Sequence, residues 1–146
     1  MNAQDKEALR FLDISVIINC TAEVPNFFEE DGLIEYHRFS VTDSEDTDMR
    51  LTWETIFPIL MNCKRKGCKV LVHCAAGKSR SASSIVYAIV RGNKIPLSDA
   101  LMYVKSCRSI ANPNDGFVRQ LTEREEEILS GKMSTLLECE RFIDDM

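Results

Sequence analysis

Apolar side chains recur along the 146-residue chain with two periods, and the alternation between those periods predicts its elements. Residues 14–19 (ISVIIN) are a continuous apolar, β-branched run, the pattern of a strand buried on both faces. Residues 34–41 (IEYHRFSV) alternate well enough for a second strand, and 68–72 (CKVLV) make a third. Helical spacing links Ala8, Leu9 and Leu12 within 4–13, and Trp53, Ile56, Phe57, Leu60 and Met61 within 51–66. It also links Leu97, Ala100, Leu101 and Val104 within 97–107 and extends over 117–129. Pro58 falls inside the second of these helices, which predicts a kink or a late start, because proline lacks an N–H and clashes with the preceding turn. Small and apolar residues from 80 to 91 read as a buried helix that stops at Gly92, as Gly67 stops the helix before it.

The intervening stretches carry turn signals. Residues 21–32 hold Pro25, paired phenylalanines and acidic side chains and read as a connection. Residues 42–48 (TDSEDTD) predict an exposed acidic loop, and 112–116 (NPNDG) a turn that caps the helix behind it. Beyond Gly131, residues 133–143 read either as a last helix or as a frayed end. Strands alternating with helices predict an α/β fold with a mainly parallel central sheet and helices on both faces, as one domain over residues 1–146.

Composition narrows the classes that remain. A net charge of −5 argues against broad nucleic-acid binding and against adhesion to anionic lipid. No apolar run approaches the roughly 18 residues of a membrane span, and there is no secretory leader pattern at the N-terminus, so a cytoplasmic or nuclear protein is expected. The basic cluster Lys64, Arg65 and Lys66, with Lys69, suits a helix C-terminus, where cations complement the dipole; a docking patch for an acidic partner is the alternative. Six cysteines at irregular spacing, mostly inside apolar-periodic segments, read as reduced packing thiols rather than a disulfide framework. No metal site is expected, since there is no C-x-x-C pair and the only histidines are His37 and His73.

One stretch carries chemistry: His73-Cys74-Ala75-Ala76-Gly77-Lys78-Ser79-Arg80-Ser81, between a strand and the N-terminus of a buried helix. Loop amides and the helix dipole there make an anion site. A cysteine in that position has its thiolate stabilised by the loop amides and by Arg80, so Cys74 is predicted to be a nucleophile at neutral pH. Amide hydrogens from Ala75, Ala76, Gly77, Lys78, Ser79 and Arg80 can ring one tetrahedral dianion, and the Arg80 guanidinium can grip two of its oxygens. With Cys74 pointing to the anion, the His73 side chain points away, which gives it a structural role on the loop backbone.

The nonapeptide HCAAGKSRS resembles the H-C-x-x-G-x-x-R-S/T signature of the cysteine-dependent protein tyrosine phosphatases, most closely their small dual-specificity branch. Segments IINCTAE, YHRFSVTDSEDTDM, WETIFPI and NPNDGFVRQL resemble that branch in the same order, so the likeness covers roughly residues 9–129. It implies hydrolysis of phosphotyrosine and phosphoserine or phosphothreonine in a phosphoprotein partner, through a phosphocysteine and without metal or cofactor. In this scheme Cys74 attacks phosphorus and a carboxylic acid protonates the leaving oxygen. The acidic loop offers Asp43, Glu45, Asp46 and Asp48; the resemblance selects Asp43, which ends a V-x-D pattern 31 positions before Cys74, with Asp46 second. It further implies that Ser81 assists departure of the Cys74 thiolate, and that Asn114 braces the phosphate loop; a helix N-cap is the alternative for Asn114.

Two departures from the family's pattern bear on these expectations. The strand pair with which the family usually begins is not found ahead of the first helix. Lys78 stands where protein-directed members often carry a small or apolar residue and where phosphoinositide-directed relatives tend to carry a base, although those relatives often have a second Lys at the position of Ala75. Three readings stay open: a phosphoprotein phosphatase, a phosphatase for phosphoinositides or other non-protein phosphomonoesters, and an inactive phospho-binding module. Cys20, at a neighbouring strand end, is a candidate resolving thiol. Oligomeric state is not legible.

Overall fold

A computed structural model describes residues 3–131. Three parallel strands form the sheet, β1 (Ile14–Asn19), β2 (Glu35–Arg38) and β3 (Lys69–His73), in the order β2-β1-β3. The central strand β1 aligns Ile17 with Tyr36 on one side and with Leu71 on the other, and Ile17 and Ile18 are fully buried. Its β-branched run was a sound signal because a central parallel strand has no solvent face.

Five α-helices, α1 (Lys6–Phe11), α2 (Arg50–Lys66), α3 (Arg80–Asn93), α4 (Leu97–Cys107) and α5 (Asp115–Leu129), and one 3-10 turn at Glu29–Asp31 complete the described chain. The expected parallel α/β architecture is present, with α1 against β1, and α2 and α3 against β3. Helix α3 is the hub, packing on α2, α4 and α5 and burying Val86, Tyr87, Ala88, Ile89 and Val90. Trp53 of α2 stacks on Tyr87 with ring centroids 5.5 Å apart and meets Phe117 of α5 edge-on at 6.5 Å. Its indole N–H donates to Ser83 Oγ (3.2 Å), so the ring's one polar atom is satisfied inside the core.

Three boundary expectations need correction. Helix α2 begins at Arg50 and carries Pro58 inside it, so the late start does not occur. Helix α3 does not stop at Gly92: Gly92 is a buried helical residue, and the chain leaves the helix at Lys94, which takes the left-handed conformation (φ 55°). The second strand is shorter than residues 34–41 and ends at Arg38. By contrast Gly67 closes α2 at φ 71° behind the basic last turn of Lys64, Arg65 and Lys66. The predicted segment 133–143 lies outside the described residues. Cys20 and Cys63 are buried as packing thiols, while Cys107 is exposed at the end of α4, against expectation. Among the described residues no helix is long and apolar enough to cross a membrane, and no three His, Cys, Asp or Glu side chains are grouped as metal ligands.

Candidate active site

Strand order reverses at β1: the chain passes from β1 to β2 on one side, then crosses to β3 on the other. In a parallel sheet the crevice beyond the carboxyl ends of the strands at such a point is where loops converge. Three loops meet here, 21–26 after β1, 39–49 after β2 and 74–79 after β3.

The loop after β3 holds Cys74 and turns at Gly77, whose φ of 67° favours glycine. Arg108 covers that turn, its Nε donating to Gly77 O (3.2 Å), and a Cβ at residue 77 would stand 2.7 Å from the guanidinium. Burial by itself pushes the Cys74 thiol up, but hydrogen bonds from the Ser81 hydroxyl and from the amides of Ser81, Gly77 and Lys78 outweigh it, and the net shift is downward. Ser81 Oγ lies 3.2 Å from Cys74 Sγ. A thiolate here is therefore held by convergent donors from Ser81, Gly77 and Lys78. His73 Nδ1 donates to the Cys74 carbonyl (3.3 Å), and burial lowers its pKa, so the ring is a neutral backbone brace at neutral pH.

Arg80 opens α3 and is only 6% exposed. Its Nη1 donates to Val41 O (3.0 Å) and its Nη2 pairs with Glu23 at 2.6 Å. The remaining donor, Nε, is buried with no hydrogen-bond partner among the described residues. A buried guanidinium N–H left unpaired is costly, and an anion oxygen beside the loop would satisfy it. Burial lowers the affinity of Arg80 for its proton, and the negative groups Glu23, Cys74 and Asp43 more than restore it, so these three side chains all lie within its field.

Glu23 escaped the sequence reading, although it stands in the connection where acidic residues were noted. A buried network fixes its loop: Asn19 Oδ1 accepts from Thr21 N (3.0 Å) and Thr21 Oγ1 (2.8 Å), while Asn19 Nδ2 donates to Val24 O (2.7 Å). Arg38 adds bonds to the carbonyls of Thr21 (2.8 Å) and Val24 (2.9 Å).

The acidic loop after β2 separates its four carboxylates by environment. Asp48 is tied to Arg50 (2.8 Å), which holds its carboxyl down at about 2. It is thus kept ionised and unsuited to donating a proton. Asp43 is held instead by Asn114, whose Nδ2 donates to Asp43 Oδ1 (2.9 Å). Glu45 and Asp46 are exposed. Asn114 Oδ1 accepts from Phe117 N (2.9 Å) as the N-cap of α5, and the Asn114 backbone N–H donates to Ser79 Oγ (2.9 Å) in the loop after β3. The exposed Lys78 leaves its side chain at the rim, while its carbonyl accepts from Asn112 N (2.7 Å). Cys20 is less suited to redox chemistry than its position promised, since burial pushes its thiol up to about 12.

Comparison with known proteins places the chain in a family. The chain is 42% identical over 124 residues to human protein phosphatase Slingshot homolog 1, covering 85% of this chain and 12% of that protein. It is 35% identical over 129 residues to human dual specificity protein phosphatase 1, covering 88% of this chain and 35% of that one. The chain thus spans a small part of the relatives it matches. A solved variant of human DUSP28 superposes with a TM-score of 0.82 at 28% identity, covering 90% of this chain and 88% of that one. Human tyrosine phosphatase-like serine/threonine/tyrosine-interacting protein does so with 0.76 at 31%, covering 83% and 82%. The family described as dual specificity phosphatase, catalytic domain, matches residues 1–127, and the chain belongs to that family.

Proposed function

We propose that the chain hydrolyses phosphotyrosine and phosphoserine or phosphothreonine in proteins through a phosphocysteine on Cys74, with no metal in the reaction. The observation that supports this most is the pairing of a lowered Cys74 thiol with a buried, unpartnered Arg80 Nε at one loop. A nucleophile and an unsatisfied cationic donor together suit a phosphoryl group better than a ligand merely held, which disfavours the inactive binding module.

In the first step Cys74 Sγ attacks phosphorus in line; the P–O bond to the substrate breaks, and Asp43 gives its proton to the departing oxygen. Arg80 and the amides of residues 75–80 hold the equatorial oxygens where charge spreads in the transition state. In the second step Asp43 takes a proton from water, water attacks phosphorus, and the S–P bond breaks with Ser81 Oγ donating to the departing thiolate. Glu23 acts through Arg80 by fixing one edge of its guanidinium, and Asn114 acts through Asp43. A phosphoprotein partner, a cytoplasmic or nuclear site of action and reduced cysteines accompany this reading.

Phosphate release from phosphotyrosyl and phosphothreonyl peptides and from soluble phosphoinositides tests it. Wild type is expected to turn over both peptides, Cys74→Ser neither, and Asp43→Ala to lose roughly 10²–10⁴-fold, the usual worth of a positioned acid. Turnover of phosphoinositides alone, abolished in Lys78→Ala, would move the substrate class to lipids. Absence of any turnover under reducing conditions would reject the enzyme reading.

A further inference from the structure

Helix α5 holds the Asp43 loop along its whole length. At the first point Asn114 Nδ2 reaches Asp43 itself. At the second, buried Gly116 lies so close beneath the loop that a methyl group in its place would overlap the Glu45 carbonyl. At the third, the Gln120 carboxamide spans the loop's exit: Oε1 accepts from Met49 N (2.8 Å) and Nε2 donates to Thr47 O (2.8 Å). Met49 is fully buried, so its N–H depends on that side chain. The carboxamide offers an acceptor and a donor on one planar group, which matches a backbone N–H and a backbone C=O two residues apart.

Outside α5, Arg80 Nη1 holds the start of the loop through Val41 O (3.0 Å) and Arg50 holds its end through Asp48 (2.8 Å). Between them its own bonds are a hydroxyl pair between Thr42 and Thr47 (2.7 Å), the turn from Thr47 N to Ser44 O (3.0 Å) and a long contact from Asp46 N to Ser44 Oγ (3.3 Å). Four of its seven residues from 42 to 48 are acidic and six of the seven are exposed, so burial does not anchor it. The same helix end is also fixed to the phosphate loop through Asn114 N and Ser79 Oγ. One rigid element therefore sets the separation between the carboxyl group and the nucleophile.

We infer that Gln120, with Gly116 beneath the loop, is a positioning residue for the general acid: the carboxamide clamp keeps Asp43 poised over the phosphate loop before substrate arrives. The inference rests on the reading of Asp43 as the proton donor. It carries a signature that general support of the fold would not give, because proton donation matters most when the leaving group is a poor one. An alkoxide from phosphothreonine needs the proton; p-nitrophenolate hardly does.

The variants Gln120→Leu, Gln120→Glu and Gly116→Ala test it. Leu removes both bonds; Glu can still accept from Met49 N but turns a second acceptor to the Thr47 carbonyl; Ala pushes the loop off α5. Each is expected to lower kcat for a phosphothreonyl peptide by about tenfold or more, part of the full worth of the acid, and to change kcat for p-nitrophenyl phosphate by less than about threefold. In an Asp43→Ala background the same changes should add no further loss. Hydrogen exchange of the intact protein should speed up at Met49 and across residues 42–49 in Gln120→Leu while the amides of α3 keep their wild-type rates. Equal losses on the two substrates, additive losses beside Asp43→Ala, or unchanged loop exchange would overturn the inference. Should wild type show no turnover, the phosphatase reading fails and the exchange measurement alone decides whether the clamp exists.

Discussion

Cys74 owes its acidity to donors rather than to a single counter-charge. Burial opposes ionisation, and the Ser81 hydroxyl heads the bonds that reverse it. Because the folded thiol lies below its ordinary value, thiolate persists below that value and is lost only as pH falls through the lowered pKa. Ser81→Ala should therefore raise the Cys74 pKa and move the acid limb of iodoacetate alkylation to higher pH. An unmoved Cys74 limb would deny Ser81 this role. Placement set by near neighbours was legible in the sequence: Cys74, Gly77, Arg80 and Ser81 share one turn of loop and the start of one helix. Glu23, Arg108 and Gln120 were not, because each acts across the fold on a loop far away in the chain. Nothing local marks a glutamate that meets an arginine 57 positions later.

At the scale of elements, periodicity found β1, α2 and α4 well because each buries a continuous face, and α4 matches its predicted span of 97–107. It failed where composition and context conflict. Pro58 is tolerated within α2, whose flanking Ile56, Phe57, Leu60 and Met61 are all buried, so packing overrides the loss of one backbone bond. Gly92 is likewise held in α3 by burial. Helix α5 has the most consequential end, since Asn114 caps it and also reaches Asp43. Asn114→Ala should cost about 1 kcal/mol through the lost cap, seen as a lower Tm, and should reduce phosphothreonine turnover. Asn114→Ser keeps a capping oxygen and should recover the Tm without the turnover, having no donor that reaches Asp43. Recovery of both would leave Asn114 as a cap alone. Within the core, Trp53→Ala removes a ring stacked on Tyr87 and should destabilise by about 3–5 kcal/mol, measured by denaturant unfolding.

The whole molecule places three loops from three parallel strands at one crevice and lets each supply one part: Glu23 from the first, Asp43 from the second, Cys74 and Arg80 from the third. That division was half legible. The sequence marks the loop with the nucleophile because strand, glycine turn and helix are contiguous, whereas the loop after β1 looked like a plain connection. The Glu23–Arg80 pair ties the first loop to the third; since Arg80 lowers the Glu23 pKa, the pair is intact above the ordinary glutamate range and is lost as pH falls through the lowered value. The account stands on a covalent step at Cys74, and trapping that step tests it most directly. Acid quench of Ser81→Ala, in which thiolate departure is slowed, during turnover of a phosphotyrosyl peptide should give a peptide carrying one phosphoryl group on Cys74 by mass spectrometry. Steady phosphate release with no such adduct, together with turnover retained by Cys74→Ser, would contradict it.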